Sequence, residues 1–242
     1  MLFIHGILES PDQFSSLIRT LGETCTIRCL LLPGHGGTAR DFAHCSMEQW
    51  RGAVRQAAEE LRGKYPSLYL AGHSMGALLA MEETAGDPRG IAGLFLMAAP
   101  LFMKLTPSGA RNGLCAAFCR TRPKNPLAAA ARDACSVRDF TLSACAGFIP
   151  RYLELFAAGR RCRPLAERLS VPMLVFQSGQ DEFVRRRSVQ PFRRNPRAIV
   201  RVLRDSRHYF YPPEDREELG QALLRFTGGQ LPNNYLGEST TP

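Results

Sequence analysis

The sequence predicts an α/β fold: a mainly parallel sheet of about six strands, flanked by helices and interrupted by a helical insertion. Three observations point there. Short apolar runs recur without the polar alternation of a half-exposed strand, as in strands buried on both faces. Between them lie stretches of helix-forming residues long enough for a crossover. This alternation lapses over residues 101–169 and then returns.

Leu2–His5 is the first run, ending in His5-Gly6. Ser10-Pro11-Asp12 supplies a cap and a first-turn proline for a helix running to about Gly22. The second run, Cys25–Leu32, stops at Pro33-Gly34-His35-Gly36-Gly37. This loop lacks the G-K-[ST] ending of a phosphate loop, which excludes nucleotide binding there. Ser46 caps a helix to about Lys64, with Glu48 and Gln49 in its first turn. Leu68–Gly72 is the third strand, Met75 to about Ala85 a helix, and Ile91–Ala98 the fourth strand. Residues 101–169 show helical patches at Leu127–Ala134 and Arg151–Ala158, and no clear strand. They carry Phe118, Phe140, Phe148, Tyr152 and Phe156, so they read as a packed insertion and not a linker. Strands return at Val171–Gln177 and Ala198–Leu203, with a helix near Ser188 between them. A last helix runs from Pro213 to about Phe226. The predicted organisation is a core of residues 1–100 and 170–228, a helical insertion at 101–169, and a loosely held polar tail at 229–242.

The 242 residues, 45% hydrophobic and 22% charged, suit one soluble domain with a sizeable core. No apolar run is long enough to cross a bilayer. Met1–Gly6 has neither a basic leader nor a cleavage site, so a cytoplasmic protein is expected. None of the eight cysteines forms a C-x-x-C pair or a zinc spacing with histidine. They are expected to be small buried hydrophobes in a reducing compartment, and no metal or cofactor is expected. The formal charge of +9 is concentrated: residues 101–170 hold twelve Lys/Arg against four Asp/Glu. That excess could attract anionic substrates or an anionic lipid surface. No nucleic-acid motif accompanies it, so nucleic acid is not an expected partner. Oligomeric state is not readable.

A serine alcohol becomes a nucleophile when a base takes its proton and an acid orients that base. The oxyanion then needs preorganised N–H donors. Ser74 lies in Gly72-His73-Ser74-Met75-Gly76, between a strand and a helix. A sharp turn there exposes the hydroxyl above the sheet's carboxyl edge, and the glycines leave room for it. The helix N-terminus favours negative charge. The competing reading is a serine that only caps the helix. Asp181 follows a strand on the same edge, and order and placement favour it as the acid; Glu182 is its rival, and a solvated turn acid is the plain alternative. Of five histidines, His208 alone falls late enough to complete the order Ser, Asp, His. His35 and His44 are in loops, and His73 is in the turn itself. After His5-Gly6, the Ile7 N–H is placed to pair with that of Met75 as an oxyanion hole. His5 reads as a residue holding that loop.

In order along the chain, F-I-H-G, L-P-G-H-G, A-G-H-S-M-G, S-G-Q-D and S-R-H resemble the α/β-hydrolase-fold serine hydrolases. The resemblance runs from Leu2 to about Phe226, with the insertion where that family places its cap, or lid. G-H-S-M-G with R-H and P-P-E-D-R-E-E-L is most similar to the monoacylglycerol lipase, lysophospholipase and carboxylesterase branch. It implies Ser74 as nucleophile, Asp181 as acid, His208 as base, and the Ile7 and Met75 N–H groups as oxyanion donors. The family has two antiparallel strands before its His-Gly strand. Here that strand begins at residue 2, so the expectation is a reduced sheet or a start further upstream. The loss falls at a sheet edge, where it bears on stability more than on chemistry.

The expected reaction is hydrolysis of a small acyl ester of short to medium chain, including monoacylglycerols or lysophospholipids. Phe102, Phe140, Phe148 and Phe156 are candidates for the wall of an acyl pocket, or else simply hold the insertion to the core. An amidase or aminopeptidase of the same fold is an alternative. An aminopeptidase would want acidic residues to hold a free amine, and this insertion is basic. A non-catalytic binding protein of this fold would predict a broken triad.

Overall fold

The computed structural model describes residues 1–118 and 121–229, so the tail beyond Gly229 lies outside the described residues. Six strands form one sheet in the order β2-β1-β3-β4-β5-β6. They are β1 (Leu2–Ile4), β2 (Arg28–Leu30), β3 (Leu68–His73), β4 (Ile91–Met97), β5 (Met173–Ser178) and β6 (Ala198–Leu203). Every pairing is parallel, so every strand ends on the same edge.

Alternate side chains of each strand feed two apolar layers, as the strand period of two requires. Leu2, Ile4, Leu94 and Leu96 point into one layer, with Trp50, Leu78 and Phe192. Phe3, Phe95 and Phe176 point into the other, with Phe14, Leu17, Leu223 and Phe226. The first layer is covered by α3 (Met47–Arg62), α4 (Met75–Gly86), α8 (Phe148–Arg168) and α9 (Val189–Arg193). The second is covered by α1 (Ser15–Leu21) and α10 (Pro213–Thr227). Ser10 and Ser46 act as the expected caps, accepting from the N–H groups of Asp12 and Gln49.

Two expectations need correction. The second strand is Arg28–Leu30, shorter than Cys25–Leu32, because it is an edge strand bonded only to β1 and partly exposed. For the same reason Cys29 is exposed and Cys25 only half-buried. Among the described cysteines, Cys45 and Cys162 alone are buried. A short helix that was not expected, α2 (Ala39–Ala43), is held by a capping box between Thr38 and Asp41.

Between β4 and β5 the chain forms α5 (Pro107–Phe118), α6 (Pro126–Ala134), α7 (Leu142–Ala146) and α8, with no strand among its described residues. This segment is tied to the loops that leave β1 and β2. Ser10 N–H donates to Ala134 O at 2.9 Å, and Ser136 N–H to Leu8 O at 2.9 Å. Arg138 N–H donates to Gly37 O at 3.0 Å. Those loops lie at the carboxyl edge, so the helical segment covers that edge. Among the described residues, no helix is long and apolar enough to cross a membrane.

Phe42 joins the two parts: its ring stacks on Trp50 at 5.6 Å and meets Phe148 of α8 edge-on at 4.7 Å. Phe42→Ala is therefore expected to cost about 3–5 kcal/mol in urea unfolding, with cleavage by trypsin appearing first between residues 101 and 169. A loss below about 1 kcal/mol would contradict this packing.

Candidate active site

The chain passes from β3 to α4 through one residue, Ser74, at φ 51° and ψ −120°. A non-glycine residue in this region is strained, and the surroundings must hold it. The flanking glycines make the turn possible. A Cβ on Gly72 would come within 2.5 Å of the Gly76 and Ala77 backbone, and one on Gly76 would overlap the Ile4 carbonyl. Ser74 N–H donates to Met97 O at 2.9 Å. The Ser74 side chain caps no helical N–H. Its Oγ instead lies 3.1 Å from His208 Nε2.

His208 follows β6, and its Nδ1 lies 2.9 Å from Asp181 Oδ2 and 3.1 Å from Oδ1. With Nδ1–H donating to the carboxylate, Nε2 is left to accept the serine proton. Asp181 Oδ1 also accepts from the N–H groups of Phe183 and Val184, at 2.8 Å each. Burial pushes the Asp181 carboxyl up, but the His208 charge and hydrogen bond and these two N–H donors outweigh it, leaving it below the ordinary range. Burial pushes His208 down, and Asp181, then Glu9 and Glu182, outweigh that and raise it. Glu182, the rival acid, does not reach the ring. It accepts from His208 N–H at 3.2 Å and pairs with Arg207 at 3.1 Å. The structure thus brings Ser74, His208 and Asp181 into one hydrogen-bonded line, all three nearly fully buried.

Ile7 follows β1 on the loop that leaves it, and Met75 opens α4 directly after Ser74. The Ile7 loop is held by two neutral-type histidine arrangements. His5 Nε2 accepts from Leu32 N–H at 3.1 Å, while Nδ1 bonds the Gly6 carbonyl at 2.8 Å. His35 Nε2 accepts from Leu8 N–H at 3.1 Å, while Nδ1 bonds the Pro33 carbonyl at 3.2 Å. Each ring has one acceptor and one donor nitrogen in use, as neutral imidazole provides. Burial pushes the His35 pKa down to about 3.

Sequence reading missed Glu9. Its side chain is 1% exposed and accepts from Gly6 N–H at 2.5 Å. Both of its oxygens lie 3.0 Å from His73 Nδ1. Burial raises the Glu9 carboxyl, but His73, His208 and the Gly6 N–H together bring it below the ordinary range. Glu9, His73 and His208 place three metal-competent atoms within 4.8 Å of one another. Each of the ring nitrogens concerned already has a hydrogen-bonding partner, so the group reads as a hydrogen-bond network.

The candidate pocket residues have different settings. Phe102 lies under the guanidinium groups of Arg163 and Arg187, at 4.0 and 4.3 Å from its ring centre. Phe148 is buried against Phe42. Phe140 is half-buried between Phe118 and Phe148, and Phe156 is 47% exposed. None of the four lines the cavity of about 610 Å³ that reaches His73, His208 and Tyr209 from the α1 and α6 side. Ser74 does not line it either, so we do not assign it to the acyl group.

Compared with known families, residues 1–222 match the alpha/beta hydrolase family. The chain belongs to that family. Among its curated relatives, it is 28% identical over 98 residues to monoacylglycerol lipase ABHD6 of Homo sapiens, covering 40% of this chain and 29% of that protein. It is 25% identical over 246 residues to the dihydrolipoyllysine-residue acetyltransferase component of the acetoin cleaving system of Cupriavidus necator. That match covers 95% of this chain and 63% of that protein. The chain therefore spans less than two thirds of the length of these relatives. Among solved structures, Paleococcus ferrophilus monoacylglycerol lipase superposes with a TM-score of 0.69 at 20% identity, over 95% of this chain and 93% of that one. A structure from work on the lipolytic enzymes LipS and LipT does so with a TM-score of 0.69 at 19% identity, over 94% and 92%. Both likenesses show the alpha/beta hydrolase fold.

The hydrogen-bond pattern predicts a far-downfield proton resonance from His208 Nδ1–H. It should vanish in Asp181→Asn and persist in Glu182→Gln. Loss in Glu182→Gln with retention in Asp181→Asn would assign the ring to the wrong acid.

Proposed function

We propose that this hydrolase cleaves carboxylic esters through an acyl-enzyme on Ser74. The observation that carries the reading is the line Ser74 Oγ–His208 Nε2 and His208 Nδ1–Asp181, set at the N-terminus of α4. His208 takes the Ser74 proton as Oγ attacks the carbonyl carbon. The Ile7 and Met75 N–H groups bind the oxyanion, aided by the positive end of α4. Asp181 holds the ring and stabilises the imidazolium. His208 then gives its proton to the leaving alcohol, which departs as the ester C–O bond breaks. Water, deprotonated by His208, attacks the acyl group; the carboxylic acid leaves and Ser74 regains its proton.

The proposed substrates are esters of short to medium acyl chains, including monoacylglycerols and lysophospholipids. The G-H-S-M-G resemblance and the monoacylglycerol lipases among the relatives support this class. Of the four phenylalanines considered for the acyl wall, Phe140 and Phe156 keep accessible surface, whereas Phe148 is buried in the core. The protein should turn over p-nitrophenyl esters, with an optimum in acyl length. Ser74→Ala should abolish turnover, and Asp181→Asn should lower kcat about ten-thousand-fold. Turnover that survives Ser74→Ala, or a folded wild type inert to every ester, would refute the esterase reading.

The helical segment is also the proposed docking face for an anionic lipid surface. Ile149, Leu153 and Phe156 are 62%, 61% and 47% exposed and recur along one face of α8, followed by exposed Arg160. On α5, exposed Arg111 is followed by Leu114 and Phe118 at 62% and 45%. Apolar side chains flanked by cations suit acyl chains beneath anionic headgroups. The protein should sediment with phosphatidylglycerol vesicles at low salt and release as salt rises, with Leu153→Glu weakening binding at least several-fold. Equal binding to neutral phosphatidylcholine vesicles, or none to either, would contradict the charge argument.

A further inference from the structure

The buried carboxylate of Glu9 belongs to none of the steps above, yet it links the loop after β1 to the Ser74 turn and to the His208 loop. It lies at the end of the loop after β1 and accepts from Gly6 N–H, immediately before Ile7. It pairs with His73, the residue before Ser74. His73 Nε2 in turn lies 3.1 Å from the His208 backbone carbonyl. The Glu9 carbonyl accepts from Ser136 Oγ at 2.6 Å, which ties the helical segment to the same residue. Finally, Glu9 Oε1 lies 4.0 Å from His208 Nε2, the nitrogen that faces Ser74.

The proton count of the pair follows from its partners. A carbonyl only accepts, and so does an ionised carboxylate. His73 Nε2 must therefore carry a proton towards His208 O, and a second proton must lie between Nδ1 and Glu9. This lets a carboxylate remain buried beside a site that develops an oxyanion.

We propose that Glu9 is a positioning residue for His208: through His73 it fixes the base's backbone against the Ser74 turn, and its carboxylate faces the proton-carrying Nε2 and favours the imidazolium formed there. The inference rests on the hydrolase reading above. The polar and titratable groups facing the His208 ring are Asp181 on the β5 loop, Glu9 on the β1 loop, His73 and Ser74 on the turn after β3, and Tyr209 beside it. Glu182 meets its backbone N–H and is itself paired with Arg207.

The test is the pH dependence of kcat/KM for a p-nitrophenyl ester in wild type and Glu9→Gln. The acidic limb reports protonation of the base in the free enzyme. The carboxylate lies 4.0 Å from Nε2 and holds the proton on, so replacing it with a neutral amide should move the limb to lower pH, by less than about one pH unit because His73 offsets part of its charge. Loss of packing alone would lower the rate at every pH and leave the limb in place; that result overturns the proposal. If Glu9→Gln does not fold, Glu9→Asp keeps the charge but draws it back by one methylene. It should move the limb the same way by less, and an unmoved limb there also overturns the proposal. The rate of Ser74 labelling by a fluorophosphonate across the same pH range reads the same base without an ester. Labelling with a moved limb but no ester turnover would sink the esterase reading and keep this one. Neither turnover nor labelling in the wild type would overturn both.

Discussion

The passage from β3 to α4 through Ser74 is the constraint on which the site depends. A single residue at φ 51° reverses the chain's direction, and no residue but glycine adopts that conformation without cost. The cost is offset by the neighbours. Ser74 N–H is held by Met97 O on β4, and the two flanking glycines let α4 start against the Ile4 carbonyl on β1. The turn is therefore locked to the strands on both sides of β3. Because the sheet is parallel throughout, the loops after β1, β5 and β6 arrive at the same edge. The proposed oxyanion donors, acid and base are delivered to one hydroxyl by topology before any side chain is chosen.

Burial of so many ionisable groups at that edge is tolerable because the charges come in pairs. Asp181 faces His208, Glu9 faces His73, and Glu182 faces Arg207. An unpaired carboxylate with 1–2% exposure would carry a desolvation penalty of several kcal/mol. Each of these acids also takes at least one backbone N–H, so each pair binds a loop as well as a charge. Electrostatics and loop geometry are thus set by the same contacts.

The six strands were legible because a parallel sheet between two helical layers demands apolar side chains on both faces, and residues such as Leu94–Met97 show no alternation. The error at Cys25–Leu32 has the same origin: an edge strand needs only a few paired residues, and apolar neighbours outside the ladder look alike in sequence. The Ser74 turn was legible because its glycines are sterically required at fixed spacing. Order and placement in the sequence favour Asp181 over Glu182 but do not show which carboxylate meets the ring. Adjacent acids differ only in which way the backbone aims them, and here Asp181 meets the ring while Glu182 meets the backbone. Glu9 gave no usable signal. A lone glutamate between Leu8 and Ser10 reads as a solvated loop residue, the usual fate of the type, and its partner His73 is distant in sequence. The helices described between β4 and β5 are legible only in part, since α5 contains two glycines and α7 is too short to show a period.

The account's central claim is a covalent acyl group on Ser74. Its most direct test is acid-quenched mass spectrometry of the protein during turnover of a p-nitrophenyl ester, with the peptides then sequenced. The account predicts a mass increase equal to one acyl group, located on the peptide that carries Gly72-His73-Ser74-Met75-Gly76 and absent from Ser74→Ala. Ester turnover with the acyl group on another residue would contradict it.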